Sequence, residues 1–196
     1  MLLALDTSGA MVTAAVHSGG AAAGVAGAGV LAERSVEQAG QHAERLAPLI
    51  AEVLAVADAV IEEVEAIAVG IGPGPFTGLR VGLVTARVLG LARQVPVYGV
   101  CSLDALAQQV IDAGLAPQDA GEPDDGESDD RESDDAQFLV ATDARRREVY
   151  WASYRDLDGH PERIGEPAVS VPAEVPVRGR PVFGRGALLY PEHLGP

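Results

Sequence analysis

The sequence predicts a mixed α/β protein, because a strand hairpin at the amino terminus is followed by strands that alternate with helices. Apolar, strand-forming runs occupy Leu2 to Asp6 and Met11 to Val16, and the turn Thr7-Ser8-Gly9 separates them. Further along, a strand over 65–70 leads through a Gly/Pro loop into a helix, and a strand over 95–101 leads into another helix. A hairpin followed by this alternation is typical of a mixed sheet packed against helices.

The remaining elements follow from hydrophobic periodicity and from the positions of Gly and Pro. The Gly/Ala/Val run at 19–30 indicates only a loose strand that extends to Ser35, because Gly and Ala are poor strand formers. Pro48 should kink the first helix or mark its true start, and Ser102 is the expected cap of the third helix. The predicted elements are helices over 41–57, 77–93 and 103–111 and later strands over 138–143 and 148–154, beyond which the signals weaken among Pro and Gly.

The composition favours a globular protein of one domain or two small lobes. Of the 196 residues, 47% are hydrophobic, which is enough for a core. The single cysteine, Cys101, excludes a disulfide framework and is interpreted as a small buried residue. Asp6 interrupts the apolar amino terminus too early for a signal peptide, and no apolar run reaches the ~18 residues of a membrane helix. We therefore expect a cytoplasmic protein without a membrane contact.

The negative charge is concentrated in one segment. The formal net charge is −15, and the segment from Asp119 to Asp135 contributes −9, with ten acids and the single base Arg131. Such a run cannot bury apolar surface, so we predict a disordered acidic loop at about 117–136. The spacing of an EF-hand calcium loop is absent. The acidic balance also argues against tight nucleic-acid binding by this chain alone.

The Gly/Pro loop and the start of the following helix form the most distinctive stretch. Its sequence from Ala68 to Gly82 is AVGIGPGPFTGLRVG, with five glycines. A P-loop needs a Lys, and every basic residue of this chain is Arg; the dinucleotide pattern G-x-G-x-x-G fails as well, because Gly78 is the next glycine after Gly74. With Thr77 as helix cap, the free N–H groups of the helix start leave a weaker anion site.

A stripe of small residues follows at steps of four along the same helix. Residues four apart lie on one helix face, and glycine inside a helix costs about 0.5–1 kcal/mol relative to alanine. The face is therefore smooth enough for another backbone to approach closely. It either packs on the protein's own sheet or meets a helix of a partner, and the stripe alone leaves both open. The members are Gly78, Gly82, Ala86 and Gly90.

Two motifs together resemble the TsaB (YeaZ) family. The first is Gly70-Ile71-Gly72-Pro73-Gly74-Pro75-Phe76-Thr77-Gly78-Leu79-Arg80-Val81-Gly82, and the second is Asp143-Ala144-Arg145-Arg146-Arg147-Glu148-Val149-Tyr150-Trp151. The short stretches Leu5-Asp6-Thr7-Ser8 and Gln41-His42 agree with the same family. The likeness covers most of 1–17, 41–107 and 138–154, and it leaves out the Gly/Ala run and the acidic loop.

The resemblance implies an actin-like ATPase fold (ASKHA, RNase H-like) with two lobes. The N-terminal lobe would span 1–104 and carry the partner-facing helices. The C-terminal lobe would span 105–196 and include the acidic loop. Relatives usually continue beyond the position of Pro196 into a further helical segment, so we expect a shortened second lobe.

The resemblance also implies a function exercised through partners. TsaB proteins work with a catalytic paralogue, TsaD, and an ATPase, TsaE, to transfer a threonylcarbamoyl group to the adenosine 3′ of the anticodon in ANN-reading tRNAs. TsaD holds its metal through a His-x-x-x-His motif, whereas the matching stretch here, Gly99 to Leu106, contains no His. We therefore expect no catalytic residues and no cofactor bound by this chain alone, ATP and a metal ion in the partner subunits, and tRNA contact only through the complex.

Candidate site residues follow from the same correspondence. The family pairs through helices of the N-terminal lobe, both as homodimers and with TsaD, which favours the partner reading of the stripe. The predicted interface residues are His42, Leu46, Leu49, Gly78, Arg80, Gly82, Ala86 and Gly90. The residues placed near a possible nucleotide are Asp6, which matches an acid of actin-like proteins, and Thr7, Gly72, Gly74 and Thr77.

Two other functions remain as alternatives. An independent nucleotide-dependent enzyme of the actin-like class would use Asp6 and the glycine loop. A glycoprotease-type peptidase, the older label of the family, lacks support because no Ser/His/Asp, Cys/His or H-E-x-x-H arrangement is present. The basic cluster Arg145–Arg147 is interpreted as a solvated turn rather than as a contact to tRNA or to the partner.

Overall fold

The computed structural model describes residues 1–19, 29–37, 42–117 and 136–195, with the side chains of 42–44 excepted. It divides into two compact units, Met1–Ser102 and Leu103–Pro196. The acidic loop predicted at 117–136 lies outside the described residues except for its two end positions. No helix in these described ranges is long and apolar enough to cross a membrane.

The first unit is a five-stranded mixed sheet with helices. Its elements are β1 (Leu2–Asp6), β2 (Met11–His17), β3 (Val30–Glu37), α1 (His42–Val56), β4 (Ala66–Gly70), α2 (Phe76–Arg93) and β5 (Val97–Val100). The strand order is β3-β2-β1-β4-β5. β1 pairs antiparallel with β2, as the predicted hairpin requires, whereas β4 lies parallel to both β1 and β5. The carboxyl ends of β1, β4 and β5 therefore meet at one edge of the sheet.

One face of this sheet is covered by α1 and α2. Side chains alternate between the two faces of a strand, so Leu3 and Leu5 of β1 are buried while their neighbours are only half-buried. α1 packs against β2 and β3, and α2 packs against β4 and β1. Pro48 lies inside α1, which is continuous from His42 to Val56, so the reading of this proline as the helix start is wrong.

The second unit is built on a four-stranded sheet. Its elements are α3 (Ser102–Asp112), whose first residue still belongs to the first unit, β6 (Gln137–Arg145), β7 (Glu148–Leu157), β8 (His160–Ser170), β9 (Val182–Phe183), α4 (Arg185–Leu189) and α5 (Pro191–Leu194). The strand order is β8-β7-β6-β9. The first three strands form an antiparallel meander, and β9 adds to β6 in parallel.

Asp104 fixes α3 within the second unit. Its carboxylate accepts a hydrogen bond of 2.8 Å from the Tyr154 hydroxyl and bonds of 2.8 and 3.0 Å from Arg163 Nη1. The Tyr154 side chain is fully buried, and its ring stacks on Phe138 with centroids 5.8 Å apart. A charge-assisted cluster of this kind joins the helix to the meander.

One long strand, β8, was not predicted from the sequence. β8 contains Pro161, Gly165 and Pro167, which are unfavourable in a central strand. It is an edge strand, where a missing N–H does not interrupt the sheet, and its pairing with β7 shifts register between Trp151 and Ser153. The edge position therefore tolerates the prolines and the glycine, although the same residues argue against a strand when only the sequence is considered.

Candidate functional site

The Gly/Pro loop begins at the carboxyl end of β4, next to the ends of β1 and β5. The Ile71 amide donates to the Val100 carbonyl, and the Ser102 amide donates to the Gly72 carbonyl at 2.8 Å. A methyl group at Gly74 would overlap the carbonyl oxygen of Ser8, and one at Gly70 would overlap the Asp6 carboxylate. The close approach of the chain to itself thus explains these two glycines without a ligand.

Asp6 is held by hydrogen bonds from the chain's own donors. Its Oδ1 accepts from the Ser8 amide at 2.6 Å and from the Ser8 hydroxyl at 2.7 Å. Its Oδ2 accepts from the Ser102 hydroxyl at 2.9 Å, and the two serine hydroxyls lie 2.7 Å apart. Ser102 is the first residue of α3 and its hydroxyl points to this cluster, so its predicted role as the residue before the helix is wrong. The carboxylate thus ties the turn after β1 to the start of α3.

Thr7 joins β1 to α2 by an inserted hydroxyl. The hydroxyl donates to the Gly78 carbonyl at 2.8 Å and accepts from the Gly82 amide at 3.0 Å. These are the carbonyl and amide that face each other across one turn of an α-helix, so the hydroxyl enters the helical ladder at that turn. Thr7 is 1% exposed, which places it in the packing of β1 on α2 and not in a ligand-facing position.

Replacing Thr7 by valine is expected to destabilise the protein without changing its shape. Valine keeps the volume of threonine but leaves the Gly82 amide and the Gly78 carbonyl without the bridging hydroxyl. Unsatisfied buried groups cost about 1–3 kcal/mol, so we expect a loss of that size in the free energy of unfolding, measured by urea denaturation. Thr13→Val, at a hydroxyl pair on the exposed sheet surface with Ser35, is the control and should change the value by less than about 0.5 kcal/mol.

Thr77 does not cap α2. The helix begins at Phe76, the preceding residue is Pro75, and no side chain caps the first turn. Proline before the helix cannot offer a side-chain acceptor, so the amide groups there lack the capping bond that the sequence predicted. Thr77 is an exposed residue of the first turn.

The small-residue stripe faces the chain's own sheet. Gly78, Gly82, Ala86 and Gly90 are the buried residues of α2. A Cβ on Gly82 would lie 2.6 Å from the Thr7 hydroxyl oxygen, and one on Gly90 would overlap the Val97 side chain of β5. The stripe therefore lets α2 lie close to β1 and β5, and its assignment to a partner interface is wrong because no room remains for a second surface.

The α1 residues assigned to the interface are likewise internal. Leu46 is 1% exposed and Leu49 is buried, and both belong to the core between α1 and the sheet. His42 is the first residue of α1, and its side chain lies outside the described part of the structure. Among the assigned residues with described side chains, only Arg80 is exposed.

The opposite side of α2 presents apolar side chains to solvent, and we call this surface the α2 outer face. It consists of Phe76, Arg80, Val84, Val88 and Leu91, which recur at steps of four and three. The exposed fractions of the apolar members are 70% for Phe76, 55% for Val84, 60% for Val88 and 82% for Leu91. The Arg80 guanidinium lies over the Phe76 ring, 5.2 Å from its centroid. This surface was not predicted from the sequence, although its residues have the same period as the stripe and lie directly opposite it on the helix.

Within the described residues, no group of three or more His, Cys, Asp or Glu side chains is placed to hold a metal ion. Cys101 is a free, half-buried thiol at the end of β5. The α2 outer face and the Asp6 cluster thus remain the two specialised features of the first unit.

Comparison with known proteins agrees with the two sequence motifs. The TsaD family model, tRNA N6-adenosine threonylcarbamoyltransferase, matches residues 29–120. TsaB of Escherichia coli, the tRNA threonylcarbamoyladenosine biosynthesis protein, is 32% identical over 120 residues, which are 61% of this chain and 44% of that protein. An uncharacterized protein of Mycobacterium leprae is 43% identical over 179 residues, 89% of this chain and 40% of that protein. The chain thus spans about half the length of the curated relatives it matches.

Solved structures give the same relationship over nearly the whole chain. A crystal structure of an uncharacterized Pseudomonas aeruginosa protein with similarity to peptidase YeaZ superposes with a TM-score of 0.73 at 31% identity, covering 98% of this chain and 79% of that chain. YeaZ from Pseudomonas aeruginosa gives a TM-score of 0.70 at 29% identity, covering 100% and 80%. The predicted actin-like α/β fold is confirmed by these neighbours. The chain belongs to the TsaB (YeaZ) family.

Proposed function

We propose that this chain is the non-catalytic partner subunit of a complex that modifies tRNA. The complex transfers a threonylcarbamoyl group to the adenosine 3′ of the anticodon in ANN-reading tRNAs. This chain stabilises or activates a TsaD-like catalytic subunit. The names of the relatives, which place them in threonylcarbamoyladenosine biosynthesis, support the reaction.

The α2 outer face is the observation that carries the partner role. Four apolar side chains are exposed along one helix, and Arg80 lies among them. Contiguous apolar surface with aromatic residues and Arg is typical of the centre of a protein interface. The inner face of α2 is already used by the sheet, so the outer face is the side of this helix that remains for a partner. We assign the partner contact to Phe76, Val84, Val88 and Leu91, with Arg80 beside them.

The catalytic parts are assigned to the other subunits. A TsaD-like paralogue would hold the metal ion, and a TsaE-like ATPase would use ATP. The bonds of Asp6 to Ser8 and Ser102 support this division, because a carboxylate engaged by three donors is less available to a metal ion. A second copy of this chain could occupy the same α2 outer face, so the homodimer and the heterodimer would exclude each other.

Co-purification with the TsaD-like protein of the same host tests the proposal. We expect a stable complex, and we expect tRNA modification by the purified subunits to require this chain. A complex that modifies tRNA equally well without the chain would contradict the proposal. The alternative enzyme makes a separate prediction: the chain alone would hydrolyse ATP, and Asp6→Ala would remove that activity.

A further inference from the structure

Three consecutive arginines form the tip of the β6–β7 hairpin. Arg145, Arg146 and Arg147 are all exposed, and their φ angles are +66°, +51° and +65°. Residues other than Gly, Asn and Asp rarely adopt positive φ. The two central positions of a two-residue hairpin turn usually carry Asn-Gly or a similar pair. The chain therefore places three large cations where small residues fit the backbone better. Three such residues in one turn cost backbone energy, which makes them candidates for a functional role.

The strands below the tip hold it in a fixed place. β6 and β7 pair from Gln137 opposite Arg155 up to Asp143 opposite Val149, and the register shifts between Asp143 and Arg145. The Asp143 carboxylate accepts a hydrogen bond of 2.8 Å from the Arg145 amide. Val149 is fully buried at the base of the turn. The three guanidinium groups thus project from a packed hairpin and not from a long loop.

The charges around the tip leave the guanidinium groups available. In the part of the chain that the structure describes, none of the three forms an ion pair with a carboxylate. Asp143 is engaged by a backbone amide, and Glu148 on the other side of the turn is half-buried. The formal net charge of the whole chain is −15. The tip is therefore a positively charged site on a negatively charged protein, and a polyanion that binds this chain would contact it here.

We propose that Arg145, Arg146 and Arg147 contact the phosphodiester backbone of the tRNA within the assembled complex. This inference rests on the proposed function, which supplies the RNA. Arginine presents a planar fork of donors that matches phosphate oxygens, and phosphate contacts fix position without reading sequence. The acidic remainder of the chain repels RNA, so the tip orients a tRNA that the other subunits bind. An acidic segment of a protein partner is the competing occupant, and the test separates the two.

The test measures tRNA binding by the assembled complex as a function of salt. The variant Arg145→Gln, Arg146→Gln, Arg147→Gln is compared with the charge-preserving variant carrying lysine at the same positions. Each lost phosphate contact should reduce the slope of log affinity against log salt by about 1. We expect the glutamine variant to bind unmodified tRNA about 10-fold or more weakly at low salt, with a slope reduced by roughly 2–3. The lysine variant should keep most of the wild-type slope.

Each other outcome decides against the inference. An unchanged slope in a glutamine variant that assembles normally would overturn it and leave the proposed subunit role intact. Weaker assembly with the protein partner at unchanged tRNA affinity would assign the tip to that partner instead. Failure of the wild-type chain to form a complex would overturn the proposed function and this inference together. An unchanged thermal unfolding midpoint for each variant alone would confirm that the substitutions leave the fold intact.

Discussion

Replacing Val84 and Val88 by glutamate is expected to abolish assembly with the TsaD-like partner while the chain stays folded. Both side chains are exposed in the free chain, so a carboxylate there remains in water and costs little stability. In a complex the same carboxylates would have to leave water for an apolar contact, and pairing with Arg80 would offset only part of that cost. Because each valine is only a little more than half exposed in the free chain, its lost burial is worth about 1 kcal/mol. Together with the desolvation of two carboxylates, the substitutions should raise the dissociation constant by about 100-fold. Analytical ultracentrifugation of the mixed subunits measures the effect.

The matched control places the same charges elsewhere. Val60 and Val169 are exposed to a similar degree as Val84 and Val88, and neither belongs to α2. The variant Val60→Glu with Val169→Glu should assemble like the wild type. Assembly retained by the Val84→Glu, Val88→Glu variant would rule out the α2 outer face as the contact. Circular dichroism of the free chains should be the same for both variants.

Gly74→Ala is expected to have the largest effect on stability. The added methyl group would overlap the backbone carbonyl oxygen of Ser8, which a side-chain rotation cannot relieve. The Gly/Pro loop or the turn after β1 must then move, and the Asp6 cluster moves with it. We expect a loss of about 3 kcal/mol or more in the free energy of unfolding. Urea denaturation of the purified variants provides the measurement.

Gly9→Ala is the control for this substitution. Gly9 lies in the turn next to the same strand, its φ is not positive, and the nearest atom to an added Cβ is the Met11 amide nitrogen at 3.9 Å. This variant should unfold within about 0.5 kcal/mol of the wild type. Equal stability of the two alanine variants would mean that Gly74 is not required by the contact with Ser8.

The elements of the first unit were predictable because each has a clear local signal. Three of these signals are local: the two apolar strand runs of the hairpin, the turn Thr7-Ser8-Gly9 between them, and the apolar period of α1. The structure confirms all three. Of the strand predicted within 19–35, the part from Val30 to Ser35 is confirmed as part of β3, whereas Gly19 and Gly29 are described and lie outside any strand. β8 was missed because Pro161 and Pro167 are compatible with a strand only at a sheet edge, which the sequence does not reveal.

The orientation of α2 was not predictable from the stripe. Small residues at steps of four allow any close neighbour, and the sequence cannot distinguish a strand of the same chain from a helix of another. In the structure the stripe faces the chain's own sheet, because the Thr7 hydroxyl lies between Gly78 and Gly82. The exposed residues opposite the stripe have the same period, so the sequence carries a signal for Val84 and Val88. The Asp6 cluster needed the structure, because Asp6 and Ser102 are 96 positions apart.

The Thr7 hydroxyl also has a consequence for the order of folding. It reaches a helical turn that lies 75 positions later in the chain. Contacts between distant positions require a long loop to close before they contribute any stability. The turn of α2 around Gly82 has two glycines and gains its bridging bond only after β1 has docked. We therefore expect the amino-terminal strand and the middle of α2 to form together, so that the surface proposed for the partner is completed only when the first strand of the sheet is in place.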